Sequence, residues 1–231
     1  MLKIKNCLIL CGGEGTRIKN LIPNTHKCLI PINNIPFIQY IIEKFDKFII
    51  TLCVCNRKEQ YFEAYKDNKT IKFSEEVIPL GTGGAIINAI NSLDDEYIIV
   101  TNGDSYCDFD LNAFYNYFKE TNYDLYIVAT LNYSNISDYG MIRIDKNNKI
   151  LSFTEKPSQA FGEFYQNCGT YIINKKLLDK YSIERKSFEE DMLPELIKNN
   201  KCYIYKTNKR VYDIGTPDRV DIASEYFKSK M

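Results

Sequence analysis

The amino-acid sequence predicts an α/β fold built on an open, largely parallel sheet with helices on both faces. Three observations carry this prediction. Through the first half of the chain, short apolar runs of strand length alternate with longer amphipathic runs, the pattern of parallel strands joined by helical crossovers. The first buried-looking run, residues 6–11, empties into a turn holding Gly12, Gly13 and Gly15. A later apolar run, YIIVT at 97–101, ends directly in Asn102, Gly103 and Asp104. That places a carboxylate at the carboxyl edge of the sheet, where open α/β folds bind ligands.

The elements follow in order. Residues 6–11 read as the first strand, and 36–45 as a helix opened by Pro36. Residues 48–55 are a strand, 59–66 a helix, 71–74 a short strand and 84–93 a helix. Residues 97–101 form the most apolar strand of this half, 111–120 a helix with Asp110 as its N-cap, and 123–130 a strand. The pattern then changes. Residues 141–144 and 150–154 flank turn-forming residues and read as a hairpin. A strand at 167–173, helices at 175–180 and 188–198, and short strands at 203–205 and 211–212 follow. Thr216 as N-cap and Pro217 at the first helical position open a last helix to about residue 227. With no linker or repeat, residues 1–231 read as a single domain. Its halves are a nucleotide-binding one to about residue 130 and one for a second substrate over about 131–231.

Composition narrows the function classes. The chain has 231 residues, 45% of them hydrophobic, enough for one sizeable core. Lys plus Arg and Asp plus Glu are each 30, and this zero balance argues against a general nucleic-acid binder. The first apolar run leads into glycines rather than a cleavage site, and no stretch has the length to cross a bilayer. The expectation is a cytoplasmic protein with neither membrane nor nucleic-acid partner. The eight cysteines, with no C-x-x-C pair, read as reduced and mostly buried thiols.

The glycine turn does not match the better-known phosphate loops. A dinucleotide fingerprint needs a third glycine where Ile18 stands, and no G-x-x-x-x-G-K-[ST] string occurs. What remains is a strand, a short loop whose bare N–H groups can form an anion nest, and Arg17, a fork of donors suited to phosphate oxygens. The plainer alternative is a tight turn with a surface arginine. Lys27 lies ten residues beyond Arg17. Asp104 and Asp213 each follow a short apolar strand, and Asp213 precedes Gly215. Each is weak alone; together they describe a site for a polyphosphate with Mg²⁺.

Taken together, LCGGEGTR with Lys27, GTGGA (81–85), NGD (102–104), EKP (155–157), N-x-G-x-Y (167–171) and DIGTP (213–217) resemble the motifs of the sugar-1-phosphate nucleotidyltransferases, in the family's order. With PLGTGGA and SFEED (187–191), they look most like the D-glycero-D-manno-heptose 1-phosphate guanylyltransferases. The resemblance implies a three-layer α/β/α nucleotidyltransferase fold, Rossmann-like and GT-A-related, with a mixed, mostly parallel sheet. It implies that an NTP (here GTP) and a sugar 1-phosphate give an NDP-sugar and pyrophosphate, for surface-polysaccharide synthesis. It implies that Leu10, Gly12, Gly13, Gly15 and Thr16 hold the nucleotide, Arg17 the β- and γ-phosphates, and Lys27 the α-phosphate region. Gly81, Thr82 and Gly83 would lie against the base, with Asn102 and Gly103 completing that site. Asp104 and Asp213 would bind Mg²⁺, and Gly140, Glu155, Lys156, Asn167 and Gly169 the sugar phosphate. Arg17, Lys27 and Asp104 are the implied catalytic residues. Oligomeric state stays open, a homodimer included.

Two positions bear on the details. The family has proline before this lysine and often after it, whereas this chain has His26 and Cys28, which leaves the segment less pre-set. His26, the sole histidine, is not needed as a general base, because the attacking phosphate is already ionised near neutrality. The family's thymidylyl and uridylyl members carry glutamine where this chain has Glu76. A carboxylate only accepts hydrogen bonds, which suits the N1–H and N2–H₂ edge of guanine. The other reading of Glu76 is a solvent-facing carboxylate beside Glu75. Competing functions are a uridylyl-, thymidylyl- or cytidylyltransferase, a GT-A glycosyltransferase using Asp108 and Asp110 as a D-x-D metal motif, and a non-catalytic nucleotide-sensing paralogue. Asp110 as a helix cap argues against the glycosyltransferase, and the presence of Arg17 and Lys27 against the paralogue. No hexapeptide-repeat tail is present, so no attached acyltransferase domain is expected.

Overall fold

The strand that leads into the glycine turn sits in the middle of the sheet. β1 (Asn6–Leu10) is buried throughout and runs parallel to β4 (Ile49–Val54) on one side and β6 (Tyr97–Asn102) on the other. The computed structural model describes residues 4–13, 15, 18, 23–133, 135–159 and 162–230. β5 (Lys72–Glu75) extends the parallel part beyond β4. On the far side of β6 the pairing turns antiparallel. There β11 (Tyr165–Asn174) runs against β6, against β8 (Leu125–Thr130) and, at its start, against β9 (Gly140–Ile144). β10 (Ile150–Glu155) forms the hairpin with β9, and β12 (Cys202–Thr207) joins β8 in parallel. Among the described residues the sheet has nine strands, ordered β10–β9–β11–β6–β1–β4–β5, with β8 branching from β11 and β12 lying beyond β8. This is the mixed, mostly parallel α/β sheet that the sequence predicts.

Alternation along the central strands builds the two outer layers. Cys7 and Ile9 of β1 and Ile99 of β6 face a core closed by α1 (Phe37–Lys44), α2 (Lys58–Ala64), α4 (Leu111–Glu120) and α6 (Pro217–Lys228). Leu8, Leu10, Ile98 and Val100 face the opposite core, closed by α3 (Gly81–Ile90) and α5 (Leu193–Asn199). Within α4, Phe114 and Phe118 lie one turn apart and are at most 2% exposed. Burying each contributes about 1.5–3 kcal/mol. Asp110 caps this helix by accepting from Ala113 N at 2.9 Å, as its sequence position predicts. Asp108 accepts from Tyr226 and Lys230 at 2.8 Å, so both aspartates of the D-x-D string serve the packing of α4 and α6.

Four departures from the sequence reading have identifiable causes. Residues 175–180 form only a 3₁₀ turn, Lys175–Leu177, capped by Asn174. The helix expected at 188–198 opens as a π turn, Phe188–Met192, before α5. Pro194 has no N–H to return to Glu190, and Leu193 N instead reaches the carbonyl of Phe188. Thr216 stands at the N-cap of α6 without a side-chain cap bond; its carbonyl accepts from Arg219 N and Val220 N, both at 3.1 Å. Two short antiparallel pairings left no signal in the periodicity, although the sequence does mark one of their strands, at 211–212. One joins β2 (Pro31–Ile32) to β3 (Ile35–Pro36); the other joins β7 (Ser105–Cys107) to β13 (Val211–Asp213). The second pair sets Asp213 opposite Ser105, beside Asp104.

Candidate active site

The carboxyl ends of β1 and β6 open into two adjoining cavities. The larger, about 650 Å³, reaches the Gly140, Glu155 and Asn167 side of the sheet. The smaller, about 320 Å³, lies over Leu10, Gly12, Gly13 and Glu76. Lys27, Gly81, Thr82, Asn102, Asp104 and Arg185 line both, so the cavities communicate past them. Thr16 and Arg17, both predicted to touch the nucleotide, lie outside the described residues.

The junction is charged. Lys27 Nζ donates to Asp104 Oδ2 at 2.6 Å, with the lysine side chain 15% exposed and the aspartate 36%. Burial pulls the lysine pKa down and pushes the aspartate pKa up. The mutual attraction outweighs both, leaving Lys27 above its ordinary range and Asp104 below it. Both are therefore ionised at neutral pH. Asp213 also acts on Lys27. Its Oδ1 accepts from Gly215 N at 2.8 Å and Arg219 at 3.2 Å, and its Oδ2 from the Tyr139 hydroxyl at 2.6 Å. Arg219 also pairs with Asp138 at 2.6 Å. The two predicted aspartates thus converge on one ammonium, although Asp213 comes with its own cage of donors.

Among the described residues, no three His, Cys, Asp or Glu side chains gather as a metal cluster. A magnesium ion commonly takes only one or two carboxylates and completes its shell with phosphate oxygens and water. Asp104 suits that role: its Oδ1 accepts from the Ser105 hydroxyl at 3.2 Å, and its Oδ2 faces the junction of the two cavities beside Lys27.

Glu76 is turned inward, contrary to the solvent-facing alternative. It is 5% exposed, and its Oε2 accepts from Leu80 N at 2.8 Å. Its Oε1 has no hydrogen-bond partner among the described residues and lies 3.1 Å from where a Cβ on Gly12 would stand. Burial raises its pKa, against the Leu80 N–H, which lowers it. Asn102 Oδ1 is a second buried oxygen without a partner among the described residues.

Within the GTGGA motif, Gly81 and Thr82 line both cavities. Gly83 lines neither cavity. A Cβ there would stand 2.6 Å from Met192 Sδ and 3.0 Å from the Lys186 carbonyl. The missing side chain lets the backbone of 184–188 dock on the start of α3, where Gly83 N donates to Lys186 O at 2.9 Å and Lys186 N to Leu80 O at 2.8 Å. Thr82 ties the same joint, its hydroxyl donating to Glu189 Oε2 and accepting from Phe188 N, both at 2.8 Å. Gly103 likewise turns inward, its N–H donating to Leu10 O at 2.9 Å.

On the side expected from the sequence to take the sugar phosphate, Glu155 pairs with Lys156 at 3.0 Å, and Lys156 adopts a left-handed backbone, φ 45°. The Asn167 amide is partly committed, donating to the Tyr171 hydroxyl at 2.6 Å and accepting from Gly169 N at 2.9 Å. Tyr171 in turn donates to Glu189 at 3.2 Å. Sequence reasoning missed Tyr139, Arg185, Glu189 and Arg219. SFEED at 187–191 was a signal for Glu189 alone; the other three stand in ordinary polar stretches.

The model of the family described as "Nucleotidyl transferase" matches residues 6–228. The chain is 33% identical to the bifunctional protein GlmU of Methanocaldococcus jannaschii over 98% of its own length, and spans 55% of that relative. It is 32% identical to a D-glycero-alpha-D-manno-heptose 1-phosphate guanylyltransferase of Campylobacter jejuni, covering 91% of this chain and 95% of the relative. HddC from Yersinia pseudotuberculosis, solved in complex with GMP-PN, superposes with a TM-score of 0.82 at 30% identity, covering 97% of this chain and all of that one.

Proposed function

This chain belongs to the nucleotidyl transferase family, and from that premise we propose that it transfers guanylyl from GTP to D-glycero-D-manno-heptose 1-phosphate. The products are GDP-heptose and pyrophosphate. The observation that carries the base assignment is Glu76 Oε1, a buried acceptor without a partner among the described residues, at the edge of the cavity under Gly12. A guanine edge with two adjacent donors completes it; a pyrimidine, with one donor beside an acceptor, does not. The likeness to heptose 1-phosphate guanylyltransferases over nearly the full length of both chains supports the sugar. The chain is also similar to GlmU, of which it spans about half, so hexose and amino-sugar 1-phosphates are the comparisons to include.

In the proposed reaction, an oxygen of the sugar phosphate attacks the α-phosphorus of GTP in line. The new P–O bond forms as the bond to the β-phosphate oxygen breaks, and pyrophosphate leaves with that electron pair. Both reactants are anions, so the protein's task is alignment and positive charge. Lys27, between the cavities, meets the α-phosphate, and Arg17 the departing pyrophosphate. Lys156 holds the phosphate of the sugar, whose hydroxyls meet Glu155 and Asn167. Asp104, with Asp213, would hold Mg²⁺, which when bound supplies charge that offsets the repulsion between the phosphates. The nucleotide side is built from about residues 1–130 and the sugar side from 131–231, with Arg185 and Asp213 crossing from the second to the first.

The test is pyrophosphate release from GTP, UTP, dTTP, CTP and ATP, each against heptose, mannose, glucose and N-acetylglucosamine 1-phosphates. We expect GTP with the heptose phosphate to exceed every other pair at least tenfold in kcat/KM. Equal rates across the nucleotides would overturn the role given to Glu76.

A further inference from the structure

We propose that His26 is a positioning residue for Lys27, anchored by the first turn of α2. The inference rests on Lys27 meeting the α-phosphate, and the experiment below separates the two.

His26 holds φ −68° and ψ 143°. That φ is the one a proline ring would impose covalently. Here non-covalent bonds impose it. The His26 N–H, which a proline would lack, donates to Gln60 Oε1 at 2.8 Å. Gln60 also donates to the Asn24 carbonyl, and Arg57 to the Pro23 carbonyl, both at 2.6 Å. The imidazole is buried, at 3% exposure, and inclined against the Tyr61 ring at a centroid distance of 5.1 Å. Its Nδ1 lies 2.6 Å from the Tyr61 hydroxyl and accepts from Cys28 N at 3.4 Å. Both contacts converge on Nδ1 and hold the ring in place. Residues 23–26 are therefore tied to α2 at both backbone and side chain.

Lys27 leaves this anchor at once. Leu29 N donates to the His26 carbonyl at 2.9 Å and closes the short turn that aims the lysine. On the other side the lysine stem lies against Gly15. A Cβ on Gly15, whose φ is +61°, would stand 2.9 Å from Lys27 Cβ. The ammonium then reaches Asp104 across 77 positions of sequence. A cation that must sit beside a developing transition state is sensitive to small shifts in its root; a displacement of about 1 Å can cost 10²-fold. His26 fixes that root. The attacking phosphate is already ionised near neutrality and needs no base, so the role left to His26 is one of position.

The experiment measures kcat, both KM values and the melting temperature of His26→Ala, His26→Pro, Gln60→Leu and Lys27→Ala in the full chain. We expect Lys27→Ala to lose at least 10²-fold in kcat. His26→Ala should lose 10- to 100-fold in kcat with both KM values within about threefold. His26→Pro, which restores the φ lock by covalent means, should recover to within about threefold of the parent. Gln60→Leu, which frees only the backbone anchor, should fall between the parent and His26→Ala. Lys27→Ala with parental turnover would overturn the reading of Lys27 itself. A dead Lys27→Ala beside a fully active His26→Ala, or a folded His26→Pro no better than the alanine variant, would overturn the positioning role. If His26→Ala fails to fold, parental kcat in Gln60→Leu would do so.

Discussion

Replacing Glu76 with glutamine tests the base pocket with little disturbance of the fold. The glutamine carbonyl can keep the 2.8 Å bond from Leu80 N that Oε2 now accepts. The amide NH₂ then takes the place of Oε1, which has no partner among the described residues, and faces two guanine donors with donors of its own. A hydrogen bond to a charged group is worth about 1.5–3 kcal/mol, so kcat/KM for GTP should fall roughly 10- to 150-fold. UTP should gain, because its N3–H and carbonyl suit an amide. Stability should move the other way. Burial raises the Glu76 pKa, so this group favours the folded state fully only below its unfolded value, and that contribution is lost as pH rises through the folded value. At neutral pH the parent carries the cost of an ionised buried carboxylate and the glutamine variant does not. The variant should therefore melt at or above the parent at pH 7, with the gap closing as pH falls. For the same reason, GTP use by the parent should decline on acidification before an ordinary carboxylate would titrate. The assay is pyrophosphate release with GTP and UTP in competition, with thermal melts from pH 5 to 8. An unchanged GTP-to-UTP ratio in a folded variant would refute the reasoning.

Three further outcomes follow from the geometry. Asp104→Ala should lower kcat by roughly 10²–10³-fold, corresponding to about 3–4 kcal/mol of transition-state stabilisation, and shift the Mg²⁺ concentration needed for half-maximal rate upward; parental turnover would sink its metal role. Gly83→Ala should overpack Met192 and the Lys186 carbonyl and destabilise by about 1–3 kcal/mol, at roughly 2–4 °C per kcal/mol, without altering nucleotide preference. A changed preference with an unchanged melting temperature would return this glycine to the base site. Gly140→Ala would place a Cβ 2.3 Å from the Phe153 ring and 2.7 Å from Glu155 Oε2. The KM for the sugar phosphate should rise at least tenfold while the KM for the nucleotide stays put; equal rises in both would contradict a sugar-side role for Glu155.

Much of this protein was legible locally. The strands on either side of β1, the spans of α1, α2, α4 and α6, the Asp110 cap and the carboxylates at strand ends all follow from periodicities of two and 3.6 and from short turn signals. Such signals fail where a distant segment sets the local state. The three glycines of GTGGA look like a turn, and the helix was placed at 84–93. In the fold they are the first turn of α3, which starts at Gly81, because the 184–188 backbone packs where their side chains would be. Pro194 changed the hydrogen-bond ladder one turn upstream, producing a π turn in a segment whose apolar pattern is plainly helical.

The sequence by itself determined the family, the glycine turn after β1 and the acidic residues closing β6 and β13, because each is a contiguous pattern. Tertiary structure decided which of them meet. The pairing of β7 with β13 brings Asp213 beside Asp104, and Lys27 reaches Asp104 from a segment, residues 23–26, that is moored to α2. Glu76 stands next to Glu75 in the chain, yet one is buried and the other exposed. The physical reason is the same throughout. A hydrogen bond or an ion pair between residues tens of positions apart leaves no period in the sequence, and its geometry exists only once the sheet has fixed both ends.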